Sequence, residues 1–205
     1  MTARADRIAL VDYGMGNLRS VERAFARIGQ PVQVTARAAD LRAADRIVLP
    51  GVGAARDAMR GLAAGGLDDA VREHIAAGRP YLGICLGLQV LLDEADEGGI
   101  GACLGVIPGR VERFPASIGL AIPHMGWNLV KLERPHPVLA EDHFYFVHGY
   151  RATQVPAAHV YATTDYGEKF PAAIGRGSCV AVQYHPEKSH RAGLELLERF
   201  CAWRP

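Results

Sequence analysis

Hydrophobic positions along the 205-residue chain follow two regimes. In roughly the first 95 residues, short continuous apolar runs alternate with stretches of helical spacing. Ile8-Ala9-Leu10-Val11 reads as a buried strand, closed by the glycine-rich turn Asp12-Tyr13-Gly14-Met15-Gly16-Asn17. Leu18, Val21, Phe25 and Ile28 then mark one helical face, stopped by Gly29. Val32-Gln33-Val34 and Ile47-Val48-Leu49 predict two further strands, the later one running into Pro50-Gly51-Val52-Gly53. Residues 67–77 predict a helix ended by Gly78. Tyr81-Leu82-Gly83-Ile84 predicts a strand leading directly into Cys85, and helical spacing resumes over 86–94. The later half changes character. Strands are predicted over 106–113, 127–132, 144–150, 160–164 and 172–183, separated by Pro, Gly and Asp, before a closing amphipathic helix over 190–203. The pattern predicts an α/β fold: a mostly parallel central sheet flanked by helices, with antiparallel additions in the C-terminal half. One domain over 1–205 is expected, with residues 1–6 a loose N-terminal extension.

Composition narrows the partners. Apolar residues make up 49% and charged residues 22%, and 23 basic against 22 acidic side chains leave a formal net charge of +1. These are ordinary globular values, and the balance gives no support for nucleic acid or an anionic membrane as partner. No apolar stretch approaches the ~18–20 residues that span a bilayer, and the N-terminus lacks the apolar core of a secretory signal. The cysteines, Cys85, Cys103, Cys179 and Cys201, form no CxxC pair, which fits reduced thiols in a cytoplasm. Eight histidines raise the question of a metal. His185 and His190 lie five apart, but no HxH or HExxH spacing accompanies them, so neither a metal nor a cofactor is expected.

The chemistry concentrates at strand ends. Gly83-Ile84-Cys85-Leu86-Gly87 is a nucleophile elbow with sulfur in place of oxygen. Flanking glycines permit a tight turn, helix-start N–H groups favour a thiolate, and the Leu86 N–H faces an oxyanion on the attacked carbon. Taken alone, the pentapeptide fits a buried core cysteine equally well. Gln183-Tyr184-His185-Pro186-Glu187 supplies the second half: a base just past a strand end, with a carboxylate two residues on to orient it. Pro186 restricts His185 to an extended conformation. Pro50-Gly51-Val52-Gly53 marks a third strand end, where Val52 and Gly53 would offer backbone donors. Parallel strands open their C-terminal ends on one edge, which makes these three segments a catalytic edge. Acyl transfer through Cys85, His185 and Glu187 follows, compatible alike with an amidase, a peptidase or an amidotransferase.

These motifs resemble the class I glutamine amidotransferases from Ile8 to about Phe200. Within that family, Asp12-Tyr13-Gly14-Met15-Gly16-Asn17-Leu18, Pro50-Gly51-Val52-Gly53 and Pro123-His124-Met125-Gly126-Trp127-Asn128 resemble the glutaminase subunits of imidazole glycerol phosphate synthases. The resemblance implies that Cys85 attacks L-glutamine to form a glutamyl thioester. Ammonia would then pass to a (β/α)₈-barrel synthase subunit, which makes imidazole glycerol phosphate and aminoimidazole carboxamide ribotide in histidine biosynthesis. It also implies that Gly53, Gln89, Gly149 and Tyr150 hold glutamine, while Asn17, Trp127, Tyr145 and Lys188 face the partner or couple the sites.

Three positions depart from the family's usual residues: Ala55, Leu88 and Gly149. None touches the triad, so they bear on glutamine affinity rather than reaction type. Gly51, next to Val52, leaves the intervening peptide free to adopt orientations closed to other residues. Rival readings are a glutaminase of another pathway, a free-standing cysteine hydrolase, and a triad-bearing scaffold that regulates a synthase.

Overall fold

The structure, a computed structural model, describes residues 6–205. The continuous apolar runs become strands buried on both faces. They are β1 (Ile8–Val11), β3 (Arg46–Gly51), β4 (Tyr81–Cys85) and β13 (Cys179–Val182), joined by the half-exposed edge strand β2 (Val32–Thr35). These five run parallel in the order β2-β1-β3-β4-β13. Beyond β13 the same sheet continues antiparallel through β12 (Lys169–Arg176), β11 (Val160–Asp165), β8 (His124–Leu132) and β9 (Asp142–His148). A second, four-stranded sheet lies beside it, in the order β10 (Tyr150–Thr153), β7 (Arg110–Arg113), β5 (Glu94–Ala95), β6 (Gly101–Ala102).

Alternation along the parallel strands builds two cores. Ile8, Leu10, Val48, Leu82 and Ile84 face α1 (Leu18–Arg27) and α6 (His190–Ala202) through Val21, Phe25, Leu197 and Phe200. Ala9, Val11, Ile47, Leu49 and Tyr81 face α2 (Ala38–Ala43), α3 (Ala55–Ala64) and α4 (Leu67–Ala76) through Leu41, Leu62 and Val71. The short α5 (Leu86–Gln89) follows β4 without a break. The C-terminal ends of β3, β4 and β13 therefore open on one edge.

Several boundaries differ from the sequence expectation. The 144–150 run breaks at Gly149, so β9 and β10 enter different sheets. The 172–183 run is a hairpin, turned at Gly177 with φ +57. Of 106–113 only Arg110–Arg113 is strand, since the Val106 and Ile107 N–H groups donate to the Leu91 carbonyl instead. The helix expected over 86–94 stops at Gln89, where Leu91 and Leu92 tighten to i→i−3 bonds on Leu88 and Gln89. Helices α2 and α3 are alanine-rich and carry too few large apolar residues to show a stripe. Residues 1–5 of the expected extension lie outside the described residues. Asp6 is held by the buried Arg46 guanidinium at 2.8 Å and by Arg204 at 3.3 Å. Among the described residues no helix is long and apolar enough to cross a membrane.

Candidate active site

Cys85 sits where β4 becomes α5, with φ 55 and ψ −102, a conformation that L-residues seldom hold. The flanking glycines are enforced by contact. A Cβ on Gly87 would lie 1.9 Å from the Leu49 carbonyl oxygen, and one on Gly83 would lie 2.4 Å from that of Gly87. Without those side chains, helix and strand close tightly enough to thrust residue 85 above the sheet edge.

Next to β4, β13 delivers His185. Pro186–Lys188 forms a single 3-10 turn, which brings Glu187 back under the imidazole. His185 Nδ1 donates to Glu187 Oε1 at 2.8 Å, with both side chains almost wholly buried. Nε2 has no nitrogen or oxygen partner and is left to the Cys85 sulfur. Burial alone pulls the imidazole pKa down. The charge and hydrogen bonding of the Cys85 sulfur, and then of Glu187, outweigh it and raise the ring to about 10. His185 is pinned from β9 as well: its N–H donates to the Tyr145 carbonyl at 2.9 Å. The Ser189 hydroxyl, which accepts the Tyr145 N–H at 3.0 Å, donates to the His185 carbonyl at 2.6 Å.

The third strand end lies beside them. The Tyr13 hydroxyl donates to the Pro50 carbonyl at 3.1 Å, and a Cβ on Gly51 would stand 2.1 Å from that hydroxyl. Gly51 is thus required by packing, and its φ is not positive. Gly53 has φ +98 beneath the Met15 methyl. A cavity of about 210 Å³ joins the segments, lined by Val52, Gly53, Cys85, Leu86 and Gln89 on one side. His148, Gly149, Tyr150, Pro123, Val147 and Glu97 line the other. Every residue expected at the nucleophile, the oxyanion loop or the glutamine contacts, except the buried His185–Glu187 pair beneath, borders this one cavity. Gln89 donates through Nε2 to the Tyr150 carbonyl at 3.1 Å and to Gln183 Oε1 at 3.2 Å. Leu88 and Ala55, two of the departures, are buried in the core behind it.

Trp127, Tyr145 and Lys188 gather on a separate face. Trp127 opposes Tyr145 in the β8–β9 ladder, stacks on His190 at 5.2 Å, and is 47% exposed. Lys188 Nζ lies 5.7 Å from the Tyr145 ring centre. Met125 and Leu129 extend the apolar surface along β8. Asn17 begins α1, whose Ser20 and Arg23 share a surface pocket with Lys188. Sequence reasoning missed Glu97, Gln183, His148 and Tyr13. Tyr13 and Gln183 stand inside recognised motifs without a role being assigned to them, and only folding brings Gln183 to the sulfur and Glu97 and His148 to the cavity wall. Among the described residues no group of three His, Cys, Asp or Glu is placed to hold a metal.

The family model "Glutamine amidotransferase class-I" matches residues 9–202, and the chain belongs to that family. Its relatives narrow the placement. It is 50% identical over 195 residues to the imidazole glycerol phosphate synthase subunit HisH of Symbiobacterium thermophilum, covering 93% of this chain and 91% of that one. The HisH of Methylococcus capsulatus is 49% identical over 211 residues, covering 97% of each. Solved structures match in fold. A glutamine amidotransferase aligns with TM-score 0.74 at 21% identity over 94% of this chain and 98% of that one. The PurLQS structure from Thermotoga maritima aligns with TM-score 0.75 at 18% identity, covering 97% and 99%.

Proposed function

We propose that this chain is the glutaminase subunit of an imidazole glycerol phosphate synthase, serving histidine biosynthesis, and that residues 1–205 form one amidotransferase domain. The observation that carries the chemistry is the strained Cys85 beside a buried His185–Glu187 pair on a shared strand edge. His185 takes the thiol proton, and the sulfur attacks the carboxamide carbon of L-glutamine. Backbone N–H groups of Val52 or Gly53 and of Leu86 receive the oxyanion. Collapse forms the glutamyl thioester, and the proton on His185 leaves with ammonia. Water, activated by the same ring, then releases glutamate and frees the sulfur. Glutamine rests against Gly53, Gln89, Gly149 and Tyr150, and the Glu97 carboxylate supplies the charge that suits an α-ammonium group.

Ammonia would pass to a (β/α)₈-barrel synthase subunit docked on the face of Asn17, Trp127, Tyr145 and Lys188. The exposure of Met125 and Trp127 on one side of β8 supports that assignment. The Tyr145 backbone holds His185, so docking there reaches the base directly. Four free cysteines suit a cytoplasmic location. Glutamate release by the purified chain, alone and with the barrel subunit and its nucleotide, tests the reading. Strong activation in the full mixture is expected. Equal turnover without the partner would move the chain to a free-standing glutaminase.

A further inference from the structure

We propose that Gln183 belongs to the catalytic machinery as a fixed hydrogen-bond donor to the Cys85 sulfur. Its Nε2 stands 3.5 Å from Sγ, and its side chain is fully buried. A buried amide is costly unless both ends are bonded, and an apolar residue would fill the same space. Here both ends are engaged, and the direction of each bond is determined. The Tyr150 carbonyl can only accept, so Gln89 must present Nε2 to it. The same Nε2 reaches Gln183 Oε1, which leaves the Gln183 N–H groups for the sulfur.

The far end of this chain is equally fixed. His148 Nδ1 donates to the Tyr150 carbonyl at 2.8 Å, and His148 Nε2 accepts from His124 Nδ1 at 3.2 Å. Burial lowers these rings to about 3 and about 4, so both are neutral near pH 7 and their tautomers hold one arrangement. Among the described residues, Tyr13, in the turn after β1, and His185, beyond β13, are titratable groups coupled to the sulfur. Gln183 therefore offers a donor that does not change with pH beside one, His185, that does.

The thioester part of the argument rests on the proposed glutaminase reading. In its first step the Sγ–C bond forms and the C–N bond breaks. In its second, oxygen from water bonds to carbon, the C–S bond breaks, and the electron pair returns to sulfur. The Gln183 N–H is aimed at sulfur at both moments when it carries that pair, and so favours the charged form.

Alkylation of Cys85 by iodoacetamide in the full-length chain, located by peptide mass, tests this without glutamine. For Gln183→Met, rates measured between about pH 5 and pH 9 should give a profile about one unit to the alkaline side of the parent. On the rising, acidic limb of the profile that displacement makes alkylation about tenfold slower. Gln183→Glu should move further in the same direction, since its carboxylate repels the thiolate. Profiles that superimpose on the parent, with the variant retaining its thermal transition, would overturn the inference. Should both variants lose that transition, Gln89→Met releases Gln183 Oε1 and must give a smaller alkaline displacement; an unmoved profile there overturns it too. The alkylation profile decides on Gln183 whether or not the parent hydrolyses glutamine, so failure of one reading is distinguishable from failure of the other.

Discussion

The two halves of the large sheet divide the labour at the site. The parallel half, β2-β1-β3-β4-β13, carries the proposed reacting groups: Cys85, the His185 segment and the Pro50–Gly53 turn all leave its C-terminal edge. The antiparallel half and the small sheet supply what surrounds them. His148, Gly149 and Tyr150 wall the cavity, and Tyr145 grips the His185 backbone. Apart from the half-exposed edge strand β2, strands of the first kind are buried on both faces and leave no free face for a partner. Strand β8 alternates buried with exposed positions, so one face holds His124 in the core while the other presents Met125 and Trp127. On the proposed reading, reaction chemistry sits on the buried half and recognition on the half with a free face.

The largest expected effect isolates the first half. Cys85→Ala should lower glutamine-dependent turnover by about 10³-fold or more, while the complex with the barrel subunit still uses added ammonia. Loss of the ammonia reaction as well would place Cys85 in the interface and break the division.

Glycine substitutions sharpen it next. Gly87→Ala sets a Cβ against the Leu49 carbonyl and should destabilise by about 2–3 kcal/mol in denaturant melts. Gly177→Ala, in the open β12–β13 turn with nothing within 4 Å, should cost about 1 kcal/mol through its positive φ alone. Equal costs would mean that elbow packing is softer than the contacts indicate.

The smallest effects are pH slopes of opposite sign. His124 and His148, lowered from 6.5 by burial, contribute stability that is present above pH 6.5 and is lost as pH falls toward 4 and 3. His185, raised to about 10, contributes stability that is complete below pH 6.5 and is lost as pH rises through 10. Each ring contributes a slope of at most about 1.4 kcal/mol per pH unit. Urea melts should show Cys85→Ala flattening only the alkaline limb, because the sulfur's charge is one cause of the raised ring. Flattening of the acid limb by that variant would contradict the separation.

Legibility in the sequence followed the same division. Cys85, His185 and Glu187 stand in short motifs whose residues touch locally, so spacing alone brought them forward. The buried parallel strands announced themselves as unbroken apolar runs, unlike the edge strand β2. The 144–150 run looked like one strand because periodicity records burial, not the sheet to which a residue is bonded. Only pairing with β7 on one side of Gly149 and β8 on the other reveals the break. Gln183 was visible two residues before His185, yet nothing in its neighbourhood pointed to Cys85, 98 positions away.

By itself, then, the sequence determined the α/β architecture, the strand-end positions of the proposed nucleophile and base, and the family. Each rests on local patterns whose meaning survives without knowledge of distant contacts. The tertiary structure alone decided which strands pair in the antiparallel half, that β9 and β10 part into different sheets, that Tyr145 braces His185, and that a directional amide chain ends on the sulfur. Such features depend on hydrogen bonds between residues far apart in the chain, and their geometry exists only once the two halves have packed.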